Sequence, residues 1–198
     1  MTQIEVFYSY ACHDTYKVFK WLQHLEEQGE ALELTWSPFA VEIASEQEWQ
    51  QPWESARSEL RGFMAAEAAR QQGAEAFRRF HQQLEQVVHE TYLELGDESI
   101  LINAAVQAGL DIEQFQAVLR SGSLARAAQQ SHQRGGKDFN VFGTPTLVFC
   151  GSHSVYLELS QLMADNNTLS LFQMVKAFAL EQPQVVQLKR TTSSQNSS

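Results

Sequence analysis

The stretch Phe7-Tyr8-Ser9-Tyr10-Ala11-Cys12-His13-Asp14-Thr15-Tyr16 carries an apolar strand, Ile4-Glu5-Val6-Phe7-Tyr8, into a helix and sets a cysteine at the junction. Beyond it Tyr16, Phe19, Leu22 and Leu25 recur at helical spacing, with Val18 and Trp21 alongside, and Gly29 offers a stop. Ala31-Leu32-Glu33-Leu34-Thr35-Trp36 then alternates apolar and polar as a strand does, ending at Ser37-Pro38. Strand, helix of about 17 residues and strand make a βαβ unit, which implies parallel pairing and a right-handed crossover.

From about Glu46 to Arg134 the chain is rich in Ala, Glu, Gln, Arg and Leu, and predicts helices near 53–72, 74–94, 98–108, 112–121 and 123–134. Pro52 opens the first, Gly73 separates it from the second, and Gly96-Asp97 separates the second from the third. Asp111 with Gln114 gives a capping-box-like start, and Ser123 after Gly122 offers another N-cap.

After Gly135-Gly136, Thr146-Leu147-Val148-Phe149-Cys150 reads as a strand, Gly151-Ser152 as a turn and Val155-Tyr156-Leu157 as an antiparallel return. A last helix from about Leu169 to Leu180 presents Leu171, Phe172, Val175 and Phe178 to the sheet and stops before Pro183. The order is βαβ, helices, ββα: an α/β domain (1–45 and 137–183) interrupted by a helical one (46–136), with a polar, flexible tail at 184–198.

Composition narrows the partners. Acidic residues outnumber basic ones 24 to 14, giving a formal charge of −10 without a basic cluster, so nucleic acid and anionic lipid are not expected. No run of about 18 apolar residues spans a membrane, and Met1-Thr2-Gln3-Ile4-Glu5 has neither the basic nor the apolar region of a signal peptide. Two cysteines, Cys12 and Cys150, fit a reducing compartment, and the cytoplasm is the expected location. His81 and His89 share a helical face but read as ordinary helix histidines, so no metal is indicated. The apolar helix faces are compatible with a homodimer.

A cysteine at the first turn of a helix meets unpaired N–H groups and the positive end of the macrodipole, and both favour thiolate. Cys12 is therefore the candidate nucleophile. Pro145, in Phe142-Gly143-Thr144-Pro145-Thr146, opens a strand where it cannot donate a ladder hydrogen bond.

On these residues, together with Leu34-Thr35-Trp36-Ser37-Pro38-Phe39 and Ala104-Ala105-Val106-Gln107-Ala108-Gly109-Leu110-Asp111, the chain resembles the DsbA-like oxidoreductases, especially their FrnE-like branch. More distantly it is similar to 2-hydroxychromene-2-carboxylate isomerases and kappa-class glutathione transferases. The resemblance implies a thioredoxin-like fold with a helical insertion, a cis Thr144–Pro145 bond facing Cys12, and a site in which His13, Asp14, Thr144 and Pro145 meet the substrate. A cis turn there exposes the Thr144 backbone to an extended substrate as an added strand.

The family's Cys-X-X-Cys is here Cys12-His13-Asp14-Thr15, so Thr15 replaces the resolving thiol. The second thiolate normally releases the mixed disulfide formed by the first. Cys150 is no substitute: five strand residues place it about 16 Å beyond Pro145, whereas a disulfide needs Cα atoms within about 7 Å. The cycle then needs an external thiol such as glutathione, with no tightly bound cofactor and with protein or peptide thiols and disulfides as partners. Thr15 retains a hydroxyl able to donate to a thiolate. A glutathione-dependent isomerase or transferase is the second expectation. The third is a non-catalytic binding module whose groove is lined by Trp49, Trp53, Phe63, Phe77 and Phe80.

Overall fold

The computed structural model describes residues 1–43, 45–162 and 167–186. Strand β1 (Thr2–Tyr8), helix α1 (His13–Glu27) and strand β2 (Leu32–Pro38) come first. Six helices follow: α2 (Glu46–Trp49), α3 (Ser58–Arg70), α4 (Ala74–Glu90), α5 (Glu98–Gln107), α6 (Ile112–Leu119) and α7 (Gly122–Phe139). Strands β3 (Thr146–Phe149) and β4 (His153–Tyr156) and helix α8 (Thr168–Glu181) are the last elements among the described residues. This is the expected α/β fold, βαβ then ββα, with helices inserted between its halves. The expected tail lies outside the described residues from 187 onward.

The sheet order is β2-β1-β3-β4. Strand β1 runs parallel to β2, with Ile4 opposite Leu34, and antiparallel to β3, with Val6 opposite Leu147. Alternation along β1 supplies two faces. Ile4, Val6 and Tyr8 enter the main core with α1 and the insertion, while Phe7 joins Phe39, Phe139, Val141 and Val148 on the other side. The main core runs unbroken from sheet to insertion: the Tyr8 ring lies 5.9 Å from both Trp36 and Phe63. Helix α3 buries Leu60, Gly62, Phe63, Met64, Ala65, Ala66, Ala68 and Ala69, so apolar residues surround it on every side.

Several local expectations meet a physical correction. Asp111 caps α6 by accepting from the Gln114 N–H, as its spacing predicts, but α7 is capped by Ser121 and not by Ser123. Pro52 opens a 3₁₀ turn, Trp53–Ser55, and α3 begins only at Ser58. Cys150 leaves the strand: with Gly151 it adopts positive φ (50° and 73°), the conformation of tight hairpin turns. Phe63, Phe77 and Phe80 are buried in the core, while Trp49 and Trp53, 5% exposed, border a surface cavity of about 560 Å³ with Arg120 and Arg126. The expected five-residue aromatic groove is therefore not formed.

Gly135-Gly136 does not break α7, which continues to Phe139. Gly135 crosses the sheet so closely that a Cβ there would lie 2.8 Å from the Phe7 ring and 3.0 Å from Phe39. Gly136 has nothing within 4 Å of the same position. Gly135→Ala should accordingly cost about 1–3 kcal/mol by overpacking, whereas Gly136→Ala should gain about 0.5–1 kcal/mol of helix propensity. Urea unfolding of the two variants checks this; equal midpoints would defeat the close-packing account.

Candidate active site

The site is assembled where the C-terminal end of β1 meets the loop before β3. Phe7 pairs with Thr146, so the residues after β1 and those before β3, more than 130 apart in sequence, leave the same end of the sheet side by side. Cys12 is the N-cap of α1, half-buried, with extended φ and ψ of −99° and 111° and no side-chain cap bond. Its Sγ lies 3.2 Å from the Thr144 carbonyl oxygen, to which the thiol donates. The Thr144–Pro145 peptide bond is cis, and both residues are buried. The loop is braced by Thr146 Oγ1 donating to the Gly143 carbonyl at 2.8 Å and by the Leu157 N–H donating to the Pro145 carbonyl at 3.1 Å. Exposed Phe142 rims it, its ring 5.1 Å from that of Tyr156.

The other expected site residues each have a partner of their own. Thr15 is fully buried, and its Oγ1 accepts from the Ser9 N–H at 3.4 Å. Asp14 forms an ion pair with Lys17, whose ammonium also donates to the Leu159 carbonyl. Exposed His13 places Nδ1 3.4 Å from His89 Nδ1. Among the described residues no group of three or more His, Cys, Asp or Glu is arranged to hold a metal.

A family profile described as "Thioredoxin" matches residues 15–173. The chain belongs to the thioredoxin family. Solved structures show its DsbA-like form of that fold. A thioredoxin-like oxidoreductase from Silicibacter pomeroyi matches at TM-score 0.59 and 22% identity, over 87% of each chain. Pseudomonas aeruginosa DsbA matches at TM-score 0.57 and 16% identity, over 87% of this chain and 80% of that one. The thiol-disulfide exchange protein alpha-DsbA2 from Wolbachia pipientis matches at TM-score 0.60 and 17% identity, over 90% and 82%. The sequence matches none of the curated proteins. No helix among the described residues of this thioredoxin-family chain is long and apolar enough to cross a membrane.

Sequence reasoning missed the groups that the insertion sends under the Cys12 junction. Buried Ser9 donates from Oγ to Glu59 on α3 at 2.5 Å and accepts from the Ala11 N–H at 3.1 Å. Glu59, itself fully buried, also accepts from the Val41 and Glu42 N–H groups at 3.0 and 2.9 Å. Burial raises its carboxyl above the ordinary range, against the bonds from Ser9, Val41 and Glu42 that pull it down. Tyr10 Oη lies 2.8 Å from His81 Nδ1 on α4, and Tyr16 donates to Glu90 at 2.5 Å. Nothing in a helix pattern marks an acidic residue as inward-facing when its neighbours are equally polar. The one available signal was the spacing of His81, Glu85 and His89.

Proposed function

We propose that this chain is a cytoplasmic thiol-disulfide oxidoreductase that works through the single sulfur of Cys12. The observation that carries the reading is the position of that sulfur, at the N-terminus of α1 and 3.2 Å from the Thr144 carbonyl. Unpaired N–H groups of the first turn favour a thiolate there. The cytoplasm supplies the reducing conditions that two unpaired cysteines suit.

In the proposed cycle the Cys12 thiolate attacks one sulfur of a substrate disulfide. The S–S bond breaks, the leaving thiolate takes a proton from solvent, and Cys12 is held as a mixed disulfide. Thr15 offers no second sulfur, so a glutathione thiolate attacks the mixed disulfide; Cys12 leaves as thiolate and a new external disulfide carries off the oxidising equivalents. Among the described residues no hydrogen bond takes up the Thr144 N–H. An extended peptide or the glutathione backbone pairs with it as an added strand, with Pro145 shaping the turn and exposed His13 and half-buried Asp14 following the sulfur in the chain. Thr15 steadies the segment from within, through its bond with the Ser9 N–H.

Incubation with oxidised glutathione should yield one mixed disulfide at Cys12 by mass spectrometry, retained in Cys150→Ser and lost in Cys12→Ser. Modification confined to Cys150, or none, would remove this function. Glutathione binding that survives Cys12→Ala, with turnover of an electrophilic aromatic, would instead favour the transferase class.

A further inference from the structure

The surface cavity of about 560 Å³ lies in the insertion, among residues 49–54, helix α3 and the start of helix α7. Its size falls within the roughly 300–1,000 Å³ of small-molecule sites. Trp49, Trp53, Met64 and Ala125 give it an apolar wall, and all four are otherwise buried. Both indole rings are held by the protein itself. Trp49 packs against the His132 ring at 5.4 Å. The Trp53 indole N–H donates to Glu98 at 3.0 Å, and the Arg61 guanidinium lies 5.5 Å over the same ring. A wall fixed in this way loses little freedom when a ligand settles against it.

The charged part of the lining is Arg120, Arg126 and Glu54, all exposed. Arg120 gives only Nη2 to Glu98, at 2.9 and 2.8 Å from its two carboxyl oxygens. That pair answers the charge of Arg120 and leaves its Nε and Nη1 donors unused among the described residues. Arg126 has neither a hydrogen-bond nor an ion-pair partner among the described residues. Its Nη1 lies beside the first turn of α7, 3.6 Å from where a Cβ on Gly122 would sit. Acidic residues outnumber basic ones 24 to 14, so an arginine without a carboxylate does not reflect a shortage of them.

We propose that this cavity binds a small monocarboxylate with an apolar, aromatic body. The carboxylate pairs with Arg126, whose planar fork of donors matches it, and the unused donors of Arg120 lie in the same lining. The body of the ligand covers the indole edges of Trp49 and Trp53. Arg126 supplies one uncompensated positive charge, and Glu54 opposes a second negative one, so a monoanion fits where a phosphate dianion does not. Cys12, Thr144 and Pro145 do not line this cavity. The site is therefore separate from the thiol centre, and the inference stands whether or not Cys12 is a nucleophile.

Calorimetric titration of the full chain with hydrocinnamate tests this. The parent should bind one equivalent saturably, and Trp emission should change with the same midpoint, because Trp49 and Trp53 are two of the four tryptophans. Arg126→Gln alters an exposed residue without a partner, so the fold should persist while affinity falls about tenfold or more. The neutral amide of the same acid should lose as much in the parent. Phenyl phosphate, a dianion above neutral pH, should bind the parent more weakly than hydrocinnamate, and Glu54→Gln should narrow that gap. Cys12→Ser should bind hydrocinnamate as the parent does. No saturable binding, equal affinity in Arg126→Gln, or equal affinity for the amide would overturn the inference. Loss of binding in Cys12→Ser would place the probe at the thiol centre and overturn it as well.

Discussion

Glu59→Ala is expected to lower the unfolding free energy by about 3 kcal/mol and to change the alkylation rate of Cys12 at the same time. The carboxylate is fully buried and takes hydrogen bonds from Ser9 Oγ and from the Val41 and Glu42 N–H groups. Truncation leaves those donors inside the protein without an acceptor, and each charge-assisted bond contributes about 1.5–3 kcal/mol; rearrangement around the partly exposed Val41 and Glu42 recovers some of it. The effect on Cys12 follows from the next bond in line. Ser9 Oγ accepts from the Ala11 N–H while the Cys12 N–H donates to the Ser9 carbonyl, so Glu59 holds the turn that aims the sulfur. Glu59→Gln keeps the shape but sets an amide NH₂ against an N–H donor, and should fall between the parent and Glu59→Ala. Urea unfolding together with the Cys12 alkylation rate measures both arms. Full stability with unchanged Cys12 chemistry in Glu59→Ala would show that the insertion does not position the site.

That dependence explains what the sequence could disclose. The βαβ and ββα halves were legible because their strands are short and patterned, and because the α1 stripe of Tyr16, Phe19, Leu22 and Leu25 has one clear period. Asp111 was legible as a helix start because a cap is a local bond, made to Gln114 three residues away. Gly135 was misread because glycine's role there is set by the Phe7 ring, brought beneath it by the fold and invisible in the neighbouring sequence. Cys150 was misplaced by one residue because an apolar run does not announce that its last member must take positive φ.

The site divides in the same way. Cys12 and Thr144 lie at element junctions, which sequence punctuation marks well, and the sheet brings them within contact. Glu59 and Glu85 carry no such mark. On α3 polar and buried apolar residues alternate around the whole helix, so none is marked as inward-facing, and on α4 an acid among Gln, Arg and His reads as solvated. Their roles appear only when the insertion closes over the sheet.

Glu85→Gln is expected to become more stable relative to the parent as pH rises, by up to about 1.4 kcal/mol for each pH unit over which folded Glu85 keeps its proton. Folded Glu85 stays protonated well above its ordinary 4.5, because of burial and then the charge at Cys12. The unfolded chain releases that proton from 4.5 upward, so the folded state binds more protons and its stability falls as pH rises through this window. Buried His81 has the opposite sign. Its folded value of about 3 lies below the ordinary 6.5, so the unfolded chain binds a proton that the folded one refuses, and stability falls as pH drops from 6.5 toward 3. Between 4.5 and 6.5 the two oppose each other: the folded pair favours a proton on Glu85, the unfolded pair one on His81. His89, held at about 4, then supplies the remaining acid slope in that interval. Removing the carboxyl removes the alkaline arm alone, while His81→Phe, at a position where an aromatic ring already packs against Trp36 and Phe77, should flatten the acid arm. Urea unfolding of parent and variants over about pH 5 to 8 resolves the two slopes. Parallel curves for the parent and Glu85→Gln would mean that the buried carboxyl is ionised in the folded protein.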